Sequence, residues 1–227
     1  MRTLNFAKRN FKEIIRDPLS IIFAVILPLF LLFIFQQFDI PTDNYKIENF
    51  TPGIIIFSFS FITLFTAMLI SKDRSTSLLI RLGISPMKPM DYIFGYIISI
   101  ILGLNFSINI IWAALISIVI AVLFIAIGIL IGSIFSEKAS SGISSIVVQL
   151  VCFTSGMYFS KDMLGDIFSK VCDYLPFDSC VTIIKGVMNN KLDLISIRNI
   201  LVFIVYLLVT LVVSIIVFRK KMISDNE

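Results

Sequence analysis

The sequence Lys72-Asp-Arg-Ser-Thr-Ser-Leu-Leu-Ile-Arg-Leu-Gly-Ile-Ser-Pro-Met-Lys-Pro89 is the only sizeable charged interruption between two long apolar blocks in the first two thirds of the chain. Its basic residues, counted against Asp73 and the nearby Asp91, leave a net charge of +2. Because cytoplasmic loops carry the excess of Lys and Arg, this segment is predicted to lie in the cytoplasm. Leucines at helical spacing, with Arg74 and Arg81 elsewhere on the wheel, predict a short amphipathic helix that a soluble partner could bind.

The composition is that of a protein that crosses a membrane several times. Of its 227 residues, 58% are hydrophobic and 15% are charged, and there is no histidine. Soluble domains are about 45–50% apolar and about a quarter charged. The net charge of +4 comes from basic residues at the ends of apolar runs, which predicts cytoplasmic flanks and no binding of nucleic acid.

Three cysteines are too few for a disulfide-dense scaffold. Cys172 and Cys180 fall in one segment predicted to lie on the extracytoplasmic side, so they could pair, whereas Cys152 lies within an apolar run. Three unpaired thiols is the favoured interpretation.

The apolar runs predict an all-α membrane protein with six transmembrane helices, at residues 19–38, 54–71, 92–109, 113–134, 144–159 and 199–218. The stretch 92–134 contains 43 residues without a charge, which would make a single helix about 64 Å long. It is therefore predicted to fold back as two spans, with the turn near residues 105–112. Because the number of spans is even, both termini lie on the same side of the membrane. Their basic residues predict that this side is the cytoplasm.

Two further segments have the pattern of helices that lie at the membrane surface. In residues 1–17 apolar side chains such as Phe11 follow the helical period, and basic side chains occupy the opposite face until Asp17-Pro18 ends the helix. Residues 160–198 contain two amphipathic pieces separated by Pro176. These outer helices are expected to dip into the outer leaflet or to cover the mouth of a cavity.

The predicted spans contain no ionisable side chain. Because a charge at the centre of a bilayer costs about 2.5–3.5 kcal/mol, proteins keep one there mainly for function. The absence of such groups from the predicted spans disfavours proton-coupled transport. Sodium coupling through carbonyl and hydroxyl groups stays open. Without histidine, a cysteine cluster or a phosphate-binding Gly-x-x-x-x-Gly-Lys-Ser/Thr motif, the chain is predicted to bind no metal or cofactor and to be no enzyme.

Uncharged polar side chains at membrane depth are candidates for a transport pathway, in particular Ser58, Thr63, Thr66, Gln149 and Thr154. Hydrogen bonding between helices is the favoured alternative for each of them. Gly128 and Gly132 form a small-xxx-small ridge, which predicts close packing of helix backbones.

Several short motifs occur in an order that resembles the ABC type-2 exporter permeases. They are Arg16-Asp17-Pro18, an apolar span with Pro28 in its middle, Ser85-Pro86, Ser155-Gly156-Met157-Tyr158-Phe159 and Tyr174-Leu175-Pro176-Phe177. The resemblance implies that residues 1–17 form an elbow helix. It also implies that the segment 72–89 is a coupling helix that docks on a separate ATPase subunit, and that 160–198 form outer re-entrant helices.

By this resemblance, the ATPase-docking face comprises Arg74, Leu78, Arg81, Leu82 and Pro86, and it is flanked on the elbow helix by Arg9, Lys12 and Arg16. The chain departs from the family where members usually carry a Glu and a Gly-Thr pair, since Lys72 to Thr76 reads Lys-Asp-Arg-Ser-Thr. Its third and fourth spans are also unusually compressed.

The resemblance implies a permease subunit of an ATP-driven exporter in the cell membrane, with ATP and Mg bound by the partner ATPase. A second copy or a similar subunit would complete the pathway. The expected substrate is amphipathic, drug-like, peptide or lipid-like, which makes multidrug or antibiotic resistance an expected role. The alternative is a non-transporting scaffold or immunity protein that binds a partner through residues 160–198. Nothing in the sequence identifies the substrate.

Overall fold

The computed structural model describes residues 16–18, 22–37, 45–75, 111–156, 165–189 and 191–224, and all regular structure in them is helical. A π-helical turn, Ile22–Ile26, leads directly into the first α-helix. The helices are α1 Leu27–Gln37, α2 Ile47–Ser75, α3 Ile111–Ile134, α4 Glu137–Thr154, α5 Gly165–Tyr174, α6 Pro176–Met188 and α7 Ile197–Ser224, with a 3-10 turn at Leu192–Leu194. The predicted all-α class is confirmed for this part of the chain.

Three helices among the described residues are long and apolar enough to cross a membrane. They are α2, α3 and α7, over Asn49–Ser75, Leu115–Ile134 and Ile197–Lys221, and they correspond to the second, fourth and sixth predicted spans. Helix α1 is a shorter apolar helix inside the predicted first span, and α4 overlaps the predicted fifth span. The predicted third span, 92–109, lies outside the described residues, so the total of six stays a prediction.

Several helix ends differ from the predicted span boundaries, and the contacts of the structure explain two of these differences. Helix α2 begins at Ile47 rather than at Ile54, although Pro52 lies inside it. Phe50 is buried in this added turn and contacts Phe35 and Tyr45, with ring centroids 4.8 Å and 5.8 Å away, so aromatic packing holds the turn in place. Helix α4 ends at Thr154 rather than at residue 159.

The end of α4 follows from the backbone at Gly156, which has a φ of 70°. This left-handed conformation is costly for residues with a Cβ atom but not for glycine. The neighbouring Ser155 amide still donates a hydrogen bond to the Val151 carbonyl, which closes the last turn.

Helix α2 is the central element of the bundle. It packs against α3 and α6 on one side and against α1 and α4 on the other. Its membrane-length segment is 72% buried, compared with 11% for that of α7, whose outer face is apolar and exposed as expected for contact with lipid. The larger core cluster combines side chains of α2, α3, α4, α6 and α7, and a second cluster joins α1 to α2 and α4.

The crossing of α2 and α3 is unusually close because two glycines lie in the contact. A Cβ atom on Gly128 would be 2.7 Å from the Thr63 carbonyl oxygen, and one on Gly132 would be 2.6 Å from the Ala67 carbonyl oxygen. The packing role predicted for this pair is confirmed. At the same crossing Thr63 Oγ1 donates to the Phe124 carbonyl at 2.8 Å.

The two predicted outer helices correspond to α5 and α6, with Pro176 at the start of α6. Helix α6 belongs to the main core, where Phe177 stacks on Phe124 with ring centroids 5.8 Å apart. Arg198 at the start of α7 forms an ion pair with Asp173 of α5 at 3.6 Å. All three cysteines are thiols, which agrees with the favoured interpretation of the sequence.

Candidate functional site

A cavity of about 610 Å³ lies at the end of the bundle where α2 ends. Its walls come from the segment before α1, from α2 and from α4. The lining residues are Asp17, Phe23, Phe61, Leu64, Phe65, Met68, Leu69, Lys72, Glu137, Ser141, Ser145, Val148 and Gln149. The volume is in the range of about 300–1,000 Å³ that is typical of sites for small molecules.

The wall on α2 is apolar and extends along one helical face. Its residues recur at intervals of three and four from Phe61 to Lys72, so they form a continuous stripe about 16 Å long. Phe23 of the π-helical turn stacks on Phe61 with ring centroids 5.6 Å apart. Single π-helical turns are frequent at functional sites.

The wall on α4 is mostly polar. Ser141, Ser145 and Gln149 follow Glu137 along α4 at intervals of four residues. Glu137, Asp17 and Lys72 place charges of both signs at one end, while the opposite end combines aromatic and aliphatic side chains with the uncharged Gln149. The cavity is therefore amphipathic, with a charged end and an apolar end.

The last turn of α2 is bonded to the corner between α3 and α4, here called the α3–α4 corner (residues 132–137). Arg74 Nη1 donates to the Gly132 carbonyl at 3.1 Å and reaches the Phe135 carbonyl at 3.4 Å. Ser75 Oγ lies 3.4 Å from Glu137 Oε2, at the start of α4. The carbonyls at the end of α3 lack partners within their own helix, and the helix dipole makes this end negative, so a guanidinium group suits it.

Only one of the five predicted pathway residues lines the cavity. Gln149 does so and is exposed. Ser58 donates to the Ile54 carbonyl and Thr154 to the Leu150 carbonyl, each within its own helix. Thr63 makes the bond to α3 described above, which is the interhelical alternative.

Thr66, the fifth predicted pathway residue, has its methyl side against the Gly128 backbone. Its Oγ1 atom is buried and has no hydrogen-bond partner in the described part of the chain. A pathway role for Ser58, Thr63, Thr66 and Thr154 stays a prediction.

Most of the predicted docking residues lie outside the described residues, namely Leu78, Arg81, Leu82 and Pro86, together with Arg9 and Lys12 of the elbow helix. Arg16 is described and exposed. Arg74 is half-buried, and the bonds given above direct it towards α3. Its docking role, like that of the others, stays a prediction.

The apolar wall and the charged end of the cavity are not predicted by the sequence pattern. The α2 residues from Phe61 to Lys72 form a recognisable helical stripe, but such a stripe is also typical of a helix that faces lipid. Asp17, Lys72 and Glu137 mark helix ends in the sequence, and only the tertiary structure brings them to one cavity. In the described ranges no group of three or more His, Cys, Asp or Glu side chains is placed to hold a metal ion.

Comparison with protein-family models finds one that matches residues 3–103, described as ABC-2 type transporter. Residues 3–103 are therefore similar to an ABC-2 type transporter domain. The resemblance drawn from the short motifs is confirmed, although the match covers less than half of the chain. A search of curated proteins found no match.

The ABC-2 match includes α1, α2 and the segment 72–89, and with them the apolar wall of the cavity. The wall on α4 lies after the matched residues. An ABC-2 domain is the membrane permease component of an ABC transporter and contains no ATPase of its own.

Proposed function

We propose that this chain is the permease subunit of an ATP-driven exporter that moves an amphipathic molecule out of the cytoplasm. The observation that carries the proposal is the cavity beside α2, which combines an apolar wall with a charged end inside a chain whose residues 3–103 are similar to an ABC-2 type transporter domain. An amphipathic molecule entering from the cytoplasm would place its apolar part against Phe61 and Phe65 and its polar part near Glu137 and Lys72.

The size and polarity of the cavity support a substrate with one polar head and one apolar body. Drug-like, peptide and lipid-like molecules share this property. Export of such a molecule would protect the cell that carries the transporter, so multidrug or antibiotic resistance is the proposed biological role.

The proposed source of energy is a separate ATPase subunit that binds ATP and Mg. Its proposed docking face is the coupling helix, through Leu78, Arg81, Leu82 and Pro86, with Arg9, Lys12 and Arg16 of the elbow helix beside it. ATP-driven closure of two ATPase subunits would bring two such coupling helices together and tilt the spans that follow them.

The proposed location of the protein is the cell membrane. Its proposed topology has six transmembrane spans and places both termini in the cytoplasm. The basic clusters before the first span and at 219–221 support this orientation. Two permease subunits, identical or similar, are proposed to form the pathway.

The direct test is reconstitution of the permease with an ABC ATPase subunit from the same genome. Vesicles would be loaded with a fluorescent long-chain amphiphile, and its vectorial movement would be followed with and without Mg-ATP. We expect transport only with both subunits and nucleotide, and none with an ATPase variant that cannot hydrolyse ATP. Vectorial flux by the permease alone, without nucleotide, would contradict the proposal.

A companion experiment tests the docking face. We expect Arg81→Ala and Leu82→Ala to reduce co-purification of the ATPase, because they remove a charge and an apolar contact from that face. Lys88→Ala, in the same segment but off the face, is the matched control. Equal retention of the ATPase by all three variants would contradict the docking assignment, and absence of any ATPase partner would favour the scaffold alternative.

A further inference from the structure

Arg74 occupies a different position from the other residues of the predicted docking face. It lies in the last turn of α2, is half-buried, and donates to carbonyls at the end of α3, 58 residues later in the chain. Its Nη1 group is already bonded to backbone carbonyls of the permease, which makes it less available to a soluble partner. Its position suits a role inside the permease.

The Gly132 carbonyl, which accepts a hydrogen bond from Arg74, belongs to a tightly packed contact between α2 and α3. Gly132 lies so close to α2 that a Cβ atom would meet the Ala67 carbonyl oxygen at 2.6 Å and Ile70 Cβ at 3.0 Å. The ends of α2 and α3 therefore cannot shift past each other without losing both this contact and the Arg74 hydrogen bonds. Movement of the end of α2 would carry the α3–α4 corner with it.

The α3–α4 corner leads directly into the polar wall of the cavity. Helix α4 begins at Glu137, which Ser75 approaches to 3.4 Å, and the same helix face continues through Ser141 and Ser145 to Gln149. Ser140, on the first turn of α4, lies 3.4 Å from the Phe135 carbonyl that Arg74 also reaches. A continuous set of contacts thus joins residue 75 to the cavity wall.

We infer that Arg74 is a positioning residue that couples the segment after α2 to helix α4, and that it is not a contact for the ATPase. When the coupling helix moves, Arg74 transmits the displacement to the α3–α4 corner and so changes the width of the cavity. This inference rests on the proposed function, because it assigns a task to Arg74 in the ATP-driven cycle of the same cavity.

The test uses the complete permease–ATPase complex in lipid nanodiscs. A reporter thiol, Ser145→Cys, is placed on the cavity wall in a Cys152→Ala background, where the two remaining cysteines are buried. The rate of labelling by N-ethylmaleimide is measured with and without a non-hydrolysable ATP analogue. Co-purified ATPase is quantified in the same samples for the background, Arg74→Ala, Arg74→Lys and Lys138→Ala.

In the background we expect the nucleotide to change the labelling rate by about fivefold or more, the usual lower end of coupling between sites. Arg74→Ala should abolish this change while retaining the ATPase. Arg74 donates to both carbonyls through Nη1, and Arg74→Lys replaces this guanidinium nitrogen with a more strongly hydrated ammonium group of the same charge. It should therefore give a reduced change, and it controls for misfolding of the alanine variant. Lys138→Ala, which removes an exposed charge at the same end, should behave as the background.

Two results in the Arg74 variants would each overturn the inference. The first is a full nucleotide response in Arg74→Ala and Arg74→Lys, and the second is loss of the ATPase from both variants while Lys138→Ala retains it. The second result would mean that Arg74 is part of the docking face for the ATPase. A background complex that binds the ATPase but shows no response at residue 145 would also overturn it. A background protein that binds no ATPase would instead overturn the proposed function.

Discussion

At the scale of single residues, the contact between α2 and α3 depends on the absence of two side chains. Gly128 and Gly132 allow the α3 backbone to approach the Thr63 and Ala67 carbonyls more closely than any residue with a Cβ atom would permit. The hydrogen bond from Thr63 to the Phe124 carbonyl can form because the α2 and α3 backbones lie this close together.

Gly132→Ala is therefore expected to destabilise the folded protein by about 1–3 kcal/mol, because the added methyl group meets backbone that cannot move aside. Gly142→Ala is the matched control, since nothing lies within 4 Å of the position that its methyl group would occupy, and alanine in an open helical site should stabilise by about 0.5–1 kcal/mol. Heating the detergent-solubilised variants before size-exclusion chromatography measures both effects. Equal stability of the two variants would contradict the packing role of Gly132.

Cys180 is a residue whose thiol reactivity depends on its burial. Burial raises the pKa of the Cys180 thiol well above its ordinary value, and the nearby Asp178 carboxylate adds to the increase. Because the thiolate is the reactive form, N-ethylmaleimide at neutral pH should leave Cys180 unmodified in the folded protein and label it after denaturation in SDS. Mass spectrometry of the labelled peptides checks this, with the more exposed Cys152 as the internal comparison.

The raised pKa also has a consequence for stability. The folded state binds the thiol proton more tightly than the unfolded state does. The contribution of the protonated Cys180 to the free energy of unfolding is therefore complete below the ordinary thiol pKa and decreases as the pH rises above it. Compared with Cys180→Ala, the natural protein should therefore lose relative stability in alkaline solution. A difference between the two proteins that does not change with pH would contradict the assignment.

At the scale of helices, α6 shows how an amphipathic segment can become part of a membrane bundle. Its pattern predicts a helix at the membrane surface or over a cavity, yet Phe177, Cys180 and Ile184 are buried in the main core. Helix α5 keeps an exposed apolar face that includes Phe168 and Val171. The two neighbouring helices therefore have different roles although their sequences have similar patterns.

Phe177→Ala should destabilise the protein by about 3–5 kcal/mol, because it leaves a cavity beside Phe124 and removes a stacked pair. Phe168→Ala, on the exposed face of α5, should change stability by less than about 0.5 kcal/mol. The same heating experiment compares them. A larger loss from Phe168→Ala than from Phe177→Ala would mean that α5, and not α6, anchors this end of the bundle.

At the scale of the whole molecule, the cavity exists because two helical stripes face each other. The stripe on α2 is apolar, the stripe on α4 is polar, and the π-helical turn before α1 adds Phe23 to the same space. None of these parts would be a site without the others. The position of α4 is in turn set by the α3–α4 corner that Arg74 contacts.

Filling this cavity should impair ligand binding without unfolding the protein. Ser145→Trp places a large ring against the α2 wall, and we expect it to weaken binding of a fluorescent long-chain amphiphile about tenfold, equivalent to about 1.4 kcal/mol. Val205→Trp, on the exposed apolar face of α7, is the control for adding an indole to the membrane region. Unchanged affinity in Ser145→Trp would show that the amphiphile binds elsewhere.

The sequence alone determined the membrane class, the identity of most helices and the family resemblance. Long runs without charge, basic flanks and breaks such as Asp17-Pro18 and Pro176 are local properties, and local properties can be read along a chain. The Gly128 and Gly132 ridge belongs to the same class, because residues spaced by four always share one face of a helix.

Only the tertiary structure decided which polar side chains meet. Ser58, Thr63 and Thr154 satisfy backbone carbonyls, whereas Asp17, Lys72 and Glu137, which the sequence marks merely as helix ends, converge on one cavity. Arg74 likewise reaches the end of α3 only because α2 and α3 cross closely. Such contacts depend on the relative rotation and axial position of helices that are far apart in the chain. The spacing of residues within a single helix does not determine these quantities.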